Sequence, residues 1–383
     1  MHPLGKLLAL RATDGAKCAH LVIRSTGWGE ANRRLLISRS IQIPIFLRIG
    51  QGLLGDLPAL LAEHHLHFRL PLVVSGPLSC DIAGERVARS LGGPCVVARG
   101  NGPESVAAVR AAVHDRRADL IVGVGGGTPL DVAKFVAAGE RLSFLSVPTT
   151  PSNDGISSPI AVVRTAGRLE SLPARMPIGV IADLDVLRQA PAACIRAGVG
   201  DLLANFSAVA DWELACQRGR DRMDDFARLL SLTGAEAMLR YADGEGSVDP
   251  SSPDLLATLI NGLVLSGVAM EIAGSSRPCS GAEHLFSHAV DRIATRPAMH
   301  GTQVGIGTLI MSALRGEDCA SLRSSMSRLG LPLSGREVGI GDEEVIQGLM
   351  HARETRPDRY TLLDEIRVDR DRAFEAARAA GVI

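Results

Sequence analysis

Aromatic residues make up only 3% of the 383-residue chain, and the formal net charge of −1 comes without any long block of like charge. A stacking platform for single-stranded nucleic acid needs aromatic faces over a basic groove, and adhesion to anionic lipid needs a positive field, so neither partner is expected. The seven cysteines, at 18, 80, 95, 194, 216, 279 and 319, form no CxxC pair and are odd in number, which argues against a disulfide framework or a four-thiolate zinc site. No apolar run approaches the roughly 20 residues of a membrane span, and LGKLLALRATDG near the start is too short and too charged for a secretory signal. A cytoplasmic protein without membrane or nucleic-acid partners is the expectation. Lysine is scarce as well: Lys6, Lys17 and Lys134 stand against a large excess of arginine, and Lys134 falls inside a motif.

With 46% hydrophobic residues the chain can build two ordinary cores. Its first half alternates. Short apolar runs, IPIFLRIG (43–50), LPLVVSG (70–76), PCVVARG (94–100), DLIVGVGG (119–126) and SFLSVPTT (143–150), end in glycine, proline or threonine and read as strands. GDLPALLAEHH, CDIAGERVARSLG and PESVAAVRAAVHDRRA between them carry apolar residues at helical spacing, so the pattern predicts a parallel α/β sheet. PIAVVRT and RLESLP, joined by AG, predict a hairpin over 159–173, followed by the strand IGVIAD. From about Pro191 the segments are long and helical, including DLLANFSAVADWELACQR and LLATLINGLVLSGVAMEIA. The expected organisation is an α/β nucleotide-binding domain over 1–190, with 1–40 as an extension, and an all-helical domain over 191–383 interrupted by a solvated loop at 243–254.

Three glycines, Gly125, Gly126 and Gly127, sit between a strand and the helix PLDVAKFVAAG, where backbone N–H groups can approach a pyrophosphate. GGGTPLD matches neither GxGxxG nor GxxxxGK[ST], so a tight structural turn is an equal alternative. A second polar loop, SVPTTPSNDGISSP (146–159), brings hydroxyls, Asn153 and Asp154 to the C-terminal end of the next strand, where open α/β sheets bind ligands. Further on, His284 and His288 lie four apart on one face of a helix, and His300 precedes a glycine at another helix start. With Asp201, two imidazoles and a carboxylate can make an open three-ligand divalent site, although i, i+4 geometry alone leaves open which imidazoles bind.

GGGTPLDVAK, SVPTTPSNDGISSP, GVGDLLANFSA, SSRPCSGAEHLFSHAVD and MHGTQVGIGT, in this order, resemble the glycerol-1-phosphate dehydrogenase family, within the superfamily of iron-containing alcohol dehydrogenases, glycerol dehydrogenase and dehydroquinate synthase. The similarity runs from about Ile43 to about Leu314. It implies a dehydroquinate synthase-like architecture with the active site in a cleft between the α/β and helical domains. It also implies that Gly125, Gly126, Gly127, Thr128, Pro129, Leu130 and Asp131 contact NAD or NADP, together with Thr149, Thr150, Pro151, Ser152 and Ser158. Asp201, His284 and His300 would hold one divalent metal, commonly zinc or nickel, while Asp154 and His288 face the substrate as catalytic groups. One departure stands out: Thr128 occupies a position where many relatives carry lysine or arginine.

The activity so implied is metal-dependent, NAD(P)H-linked interconversion of dihydroxyacetone phosphate and sn-glycerol 1-phosphate by a homodimer or larger homo-oligomer. Arg277, in SSRPCSG, is a candidate phosphate ligand because a guanidinium binds phosphate in bidentate fashion, and a capping role is as fair a reading. The alternatives are a dehydrogenase of an unphosphorylated polyol such as glycerol, and a sugar phosphate cyclase of the dehydroquinate synthase type. Relatives of the second kind usually have glutamate as first metal ligand, so Asp201 favours the dehydrogenases. A non-catalytic nucleotide-binding protein would not need the metal trio and ranks last.

Overall fold

The computed structural model describes residues 41–165, 167–243 and 248–383, so the reading of residues 1–40 as an extension lies outside the described residues. Of the expected loop at 243–254, residues 244–247 also lie outside them. The apolar runs form β1 (Phe46–Gly50), β2 (Pro71–Ser75), β3 (Cys95–Val97), β4 (Leu120–Gly125) and β5 (Ser143–Pro148). The hairpin β6 (Ile160–Thr165) and β7 (Arg168–Pro173) comes next, turning through Gly167 at φ +81°, and β8 (Gly179–Asp183) follows. Six of these make one sheet in the order β1-β8-β5-β4-β2-β3, and every pair in it is parallel. β2, β4 and β8 are buried along their whole length, which is why they read as continuous apolar runs rather than as alternation.

The chain passes outward from β2 to β3, then returns past β2 to β4. That reversal places a topological switch point between β2 and β4, and the loop after β4 opens at the crevice where such sheets take ligands.

From Ala192 onward the described residues are helices and their connections. Asp224 and Ser252 accept hydrogen bonds from Ala227 N and Leu255 N and so cap the helices Asp225–Ala242 and Pro253–Ala273. Two expected helices differ in detail. CDIAGERVARSLG winds as a π-helix over Cys80–Gly84 before the α-helix Glu85–Leu91 begins. DLLANFSAVADWELACQR breaks at Ala204 into Ala192–Leu203 and Asn205–Gln217, and at the break the Asn205 amide donates to Ser231 O (3.1 Å) and Ser266 Oγ (2.9 Å).

Against expectation, the stretches Ala192–Gln217 and Pro253–Ala273 are long and apolar enough to cross a membrane by length and composition. Their most apolar windows are 72% and 67% buried inside the fold, as helices that are apolar all round must be when they form a core. One continuous apolar cluster runs from Leu72 and Val74 in the sheet, through Leu202, Leu259 and Leu285, to Val382, and residues Ile43–Ile383 form a single compact unit.

Candidate active site and metal centre

β4 runs into Gly125, whose φ of +151° strains any residue with a Cβ, and a Cβ there would strike Pro129 and Ser79 Oγ. At Gly126 a Cβ would lie 2.7 Å from Thr150 Oγ1. Gly127 has room for one, its nearest neighbour being Asn153 Nδ2 at 3.5 Å. The triple glycine therefore divides: Gly125 permits the close approach of Pro129 and Ser79, Gly126 that of Thr150 in the second loop, and Gly127 is not required to be glycine by space. The helix Gly127–Glu140 begins with Gly126 as an extended N-cap and no capping side chain, so among the described residues no side chain occupies its first N–H groups. Thr128 is exposed, whereas Pro129, Leu130 and Asp131 are buried. The Leu130 side chain belongs to the core, so any ligand contact it makes goes through its backbone.

Thr149 N donates to Gly125 O at 2.9 Å and so joins the glycine loop to the second polar loop. A deeper link runs through Lys134, which is fully buried. Its Nζ lies 3.1 Å from Asp131 Oδ1 and donates to Gly155 O (2.8 Å), to Ser158 Oγ (3.3 Å) and to Ser158 O (3.4 Å). Burial raises the Asp131 carboxyl, and the Lys134 charge opposes that shift. Lys134→Met would leave Asp131 buried without its cation and three loop acceptors unmet, and should cost about 3–5 kcal/mol of stability. Denaturant unfolding checks this, with Asp131→Asn in the same chain expected to restore part of the loss. A cost under about 1 kcal/mol, the worth of an exposed pair, would show the staple to be unimportant.

The second loop reaches the helical half at Asp154, whose N donates to Asp201 Oδ2 at 2.9 Å. That leaves Asp201 Oδ1 facing His284 Nε2 at 3.8 Å and His300 Nε2 at 3.7 Å, and one ligand atom from each residue lies within 4.8 Å of the others. Asp201 comes from the helix Ala192–Leu203, His284 from Ala282–Ile293 and His300 from the first turn of His300–Arg315. The His288 ring lies 6.5 Å from that of His284 and 6.1 Å from that of His300, beside the trio. Pro151 packs close by, with its carbonyl against Gly198 of the Asp201 helix.

Burial pushes Asp201 up to about 7 and holds His284 and His300 below the ordinary imidazole range, His284 far below. Asp154 is likewise pushed up to about 7, by burial first and then by the Asp201 charge. His284 Nδ1 pairs with Glu283 Oε1 at 2.9 Å, which leaves Nε2 as its donor atom. His300 Nδ1 meets Ser287 Oγ at 3.2 Å. One carboxylate and two neutral imidazoles, each oriented from behind and converging through Oδ1 and Nε2 atoms, fit a divalent cation.

Sequence reasoning passed over several of these groups. Glu283, fully buried, also binds Gly281 N (2.6 Å) and Ser207 Oγ (2.7 Å), while Gln303 Nε2 donates to Ser287 Oγ (3.0 Å) and Asp291 Oδ1 (2.9 Å). Glu283 and Ser287 stand inside the motif GAEHLFSHAVD, so position beside a ligand was the available signal. Arg277 is committed elsewhere, its Nε 2.8 Å from Asp221 Oδ2 and its Nη1 donating to Tyr360 O at 2.5 Å.

The sequence pattern of the iron-containing alcohol dehydrogenase family matches residues 48–191. Among solved structures, a probable glycerol dehydrogenase from Sinorhizobium meliloti superposes with TM-score 0.69 at 23% identity, covering 90% of this chain and 98% of that one. Glycerol dehydrogenase from Schizosaccharomyces pombe gives 0.70 at 20% identity, with 90% of each chain covered. A parallel sheet with its glycine loop at the switch point, backed by a helical half that carries an Asp–His–His cluster, defines a metal-dependent dehydrogenase of the alcohol dehydrogenase class. Glycerol-1-phosphate dehydrogenase (NAD(P)+) from Pyrococcus abyssi is 40% identical over 316 residues, 82% of this chain and 90% of its own. The protein of that name from Cenarchaeum symbiosum is 38% identical over 352 residues, 90% and 97%. The chain belongs to the glycerol-1-phosphate dehydrogenase family.

Proposed function

We propose that the protein catalyses reversible hydride transfer between NAD(P)H and dihydroxyacetone phosphate, giving sn-glycerol 1-phosphate. The observation that carries this reading is the hydrogen bond from Asp154 N to Asp201 Oδ2, which couples the loop beside the glycine turn to the metal-binding trio. Asp201, His284 and His300 would hold one divalent cation, zinc or nickel, which when bound supplies Lewis acidity toward a substrate oxygen. The nicotinamide supplies the hydride. Residues Gly125 to Asp131 and Thr149 to Ser152, with Ser158, would hold the dinucleotide, the uncapped helix start offering N–H groups suited to its pyrophosphate. His288 faces the substrate and moves a proton to or from its hydroxyl oxygen, with Asp154 as the second group. Burial and the positive charges around His288 favour its neutral form, the form able to accept that proton. We read residues to 190 as the cofactor domain and those from 191 as the metal and substrate domain. The working form is a cytoplasmic homodimer or larger homo-oligomer, for which light scattering at micromolar concentration is the test.

The competing reading, an unphosphorylated polyol such as glycerol as substrate, is favoured by the fold shared with glycerol dehydrogenases. A substrate panel with metal-loaded protein, followed at the nicotinamide absorbance, separates the two. We expect kcat/KM for dihydroxyacetone phosphate to exceed that for dihydroxyacetone by at least about 100-fold, roughly 2.7 kcal/mol. Equal rates would sink the phosphate reading. β2 ends at Ser75 and is followed by Gly76, with no acidic side chain to grip a ribose 2′-hydroxyl, so NADPH is expected to serve as well as NADH to within about 100-fold.

A further inference from the structure

Of Arg277, Arg353, Arg356 and Arg359, at or near the segment that leans on the histidine helix, three are spoken for. Arg353 binds Asp364 Oδ1 at 2.6 Å together with the carbonyls of Arg356 and Pro357. Arg277 is held by Asp221 and Tyr360 O, and the buried Arg359 donates to Ser280 O and to Ser276 Oγ. Arg356 is half-buried, and its guanidinium makes no hydrogen bond or ion pair among the described residues.

Its neighbour places it close to the histidine helix. Thr355 Oγ1 donates to Ala352 O at 2.8 Å and lies 3.4 Å from Leu285 O, one residue beyond His284, so Arg356 follows directly from a contact with the helix that carries His284 and His288. Burial first, then the neighbouring His300 and His284 and after them the charges of Arg356 and Arg359, hold His288 well below the ordinary imidazole range, and the Arg356 charge adds to burial in weakening the hold of Arg359 on its proton. The half-buried guanidinium has five donors and no acceptor, and among the described residues it meets no protein acceptor, so its donors are open to an anion, with Arg359 as a neighbouring cation.

We propose that Arg356 binds the phosphate of the substrate, its planar fork meeting two phosphate oxygens beside His288, with Arg359 as the buried cation that anchors the strap behind it. This assignment rests on the phosphorylated-substrate reading above. It replaces Arg277, the arginine that the sequence alone suggests.

The test compares kcat/KM for dihydroxyacetone phosphate with kcat/KM for dihydroxyacetone in wild type, Arg356→Gln, Arg356→Lys and Arg277→Gln. Arg356→Gln should lower the ratio by roughly 10- to 100-fold, chiefly through KM for the phosphorylated substrate, as loss of a charge-assisted bidentate contact does. Arg356→Lys keeps the charge without the fork and should fall between, and Arg277→Gln should leave the ratio unchanged. Inorganic phosphate provides a readout separate from turnover of the phosphorylated substrate: its dissociation constant, measured by calorimetry, should rise with the same ranking. A wild-type ratio well above one that persists within twofold in both Arg356 variants overturns the assignment and leaves the substrate reading standing. A wild-type ratio near one overturns both.

Discussion

His284→Ala is expected to lose both bound metal and activity, whereas His288→Ala should retain the metal while turnover falls by about 10²- to 10⁴-fold, the range for lost proton-transfer assistance. The two residues are four apart on one helix, and sequence spacing alone would let both imidazoles bind a single ion. Geometry separates them. His284 Nε2 and His300 Nε2 lie 3.8 and 3.7 Å from the same oxygen of Asp201, and the rings of those two histidines are 5.0 Å apart. The His288 ring stands more than 6 Å from either one. Three protein ligands also leave the position that a substrate oxygen needs, which a fourth imidazole would close. Metal per subunit, measured on His284→Ala, His288→Ala, His300→Ala and Asp201→Ala after equilibration at fixed free metal, decides the matter. The affinity loss in His284→Ala should exceed the roughly 10- to 100-fold that follows removal of an outer partner such as Glu283. Metal lost from His288→Ala but kept in His300→Ala would overturn the assignment.

Much of this site was legible because strand ends and helix starts announce themselves. Each of the five early apolar runs forms a parallel strand, and the two polar loops fall at the ends of neighbouring strands β4 and β5. A carboxylate and imidazoles grouped in motifs with glycines were visible for the same reason: few side-chain types serve a metal. Contacts between residues distant in the chain left no such trace. Lys134 drew notice as a rare lysine, yet its bond to Gly155 depends on how the Gly127–Glu140 helix lies across the second loop. Arg356 looked like one arginine among many, and only the engagement of Arg277, Arg353 and Arg359 sets it apart. The π-turn at Cys80–Gly84 was equally invisible, because its residues have the apolar spacing of an ordinary helix.

Gly301→Ala should disable the metal site although it removes no ligand. The helices Ala192–Leu203 and His300–Arg315 meet along glycines: Gly200 Cα lies against the place a Cβ of Gly305 would take, 3.4 Å away, and a Cβ on Gly200 would strike Gly301 O. A Cβ on Gly301 would penetrate the carbonyl oxygen of Ala197 and come within 3.1 Å of Asp201 Cβ. Neither obstacle is a flexible side-chain end, so the helices must part. Overpacking of this kind costs about 1–3 kcal/mol or more of stability. The functional cost should be larger, because Gly301 follows His300 and the obstacle lies one turn before Asp201, so parting the helices separates two ligands of one ion. Losing a group that merely orients a ligand costs about 10- to 100-fold in metal affinity, and we expect parting two ligands to cost at least about tenfold on that ground. Gly55→Ala is the matched control, since among the described residues nothing lies within 4 Å of the added atom and its backbone is not in the left-handed region. Melting temperature and metal dissociation constant by chelator competition are the two measurements. If Gly301→Ala melts and binds metal as the wild type does, close backbone contact between these helices is not what holds Asp201 and His300 together.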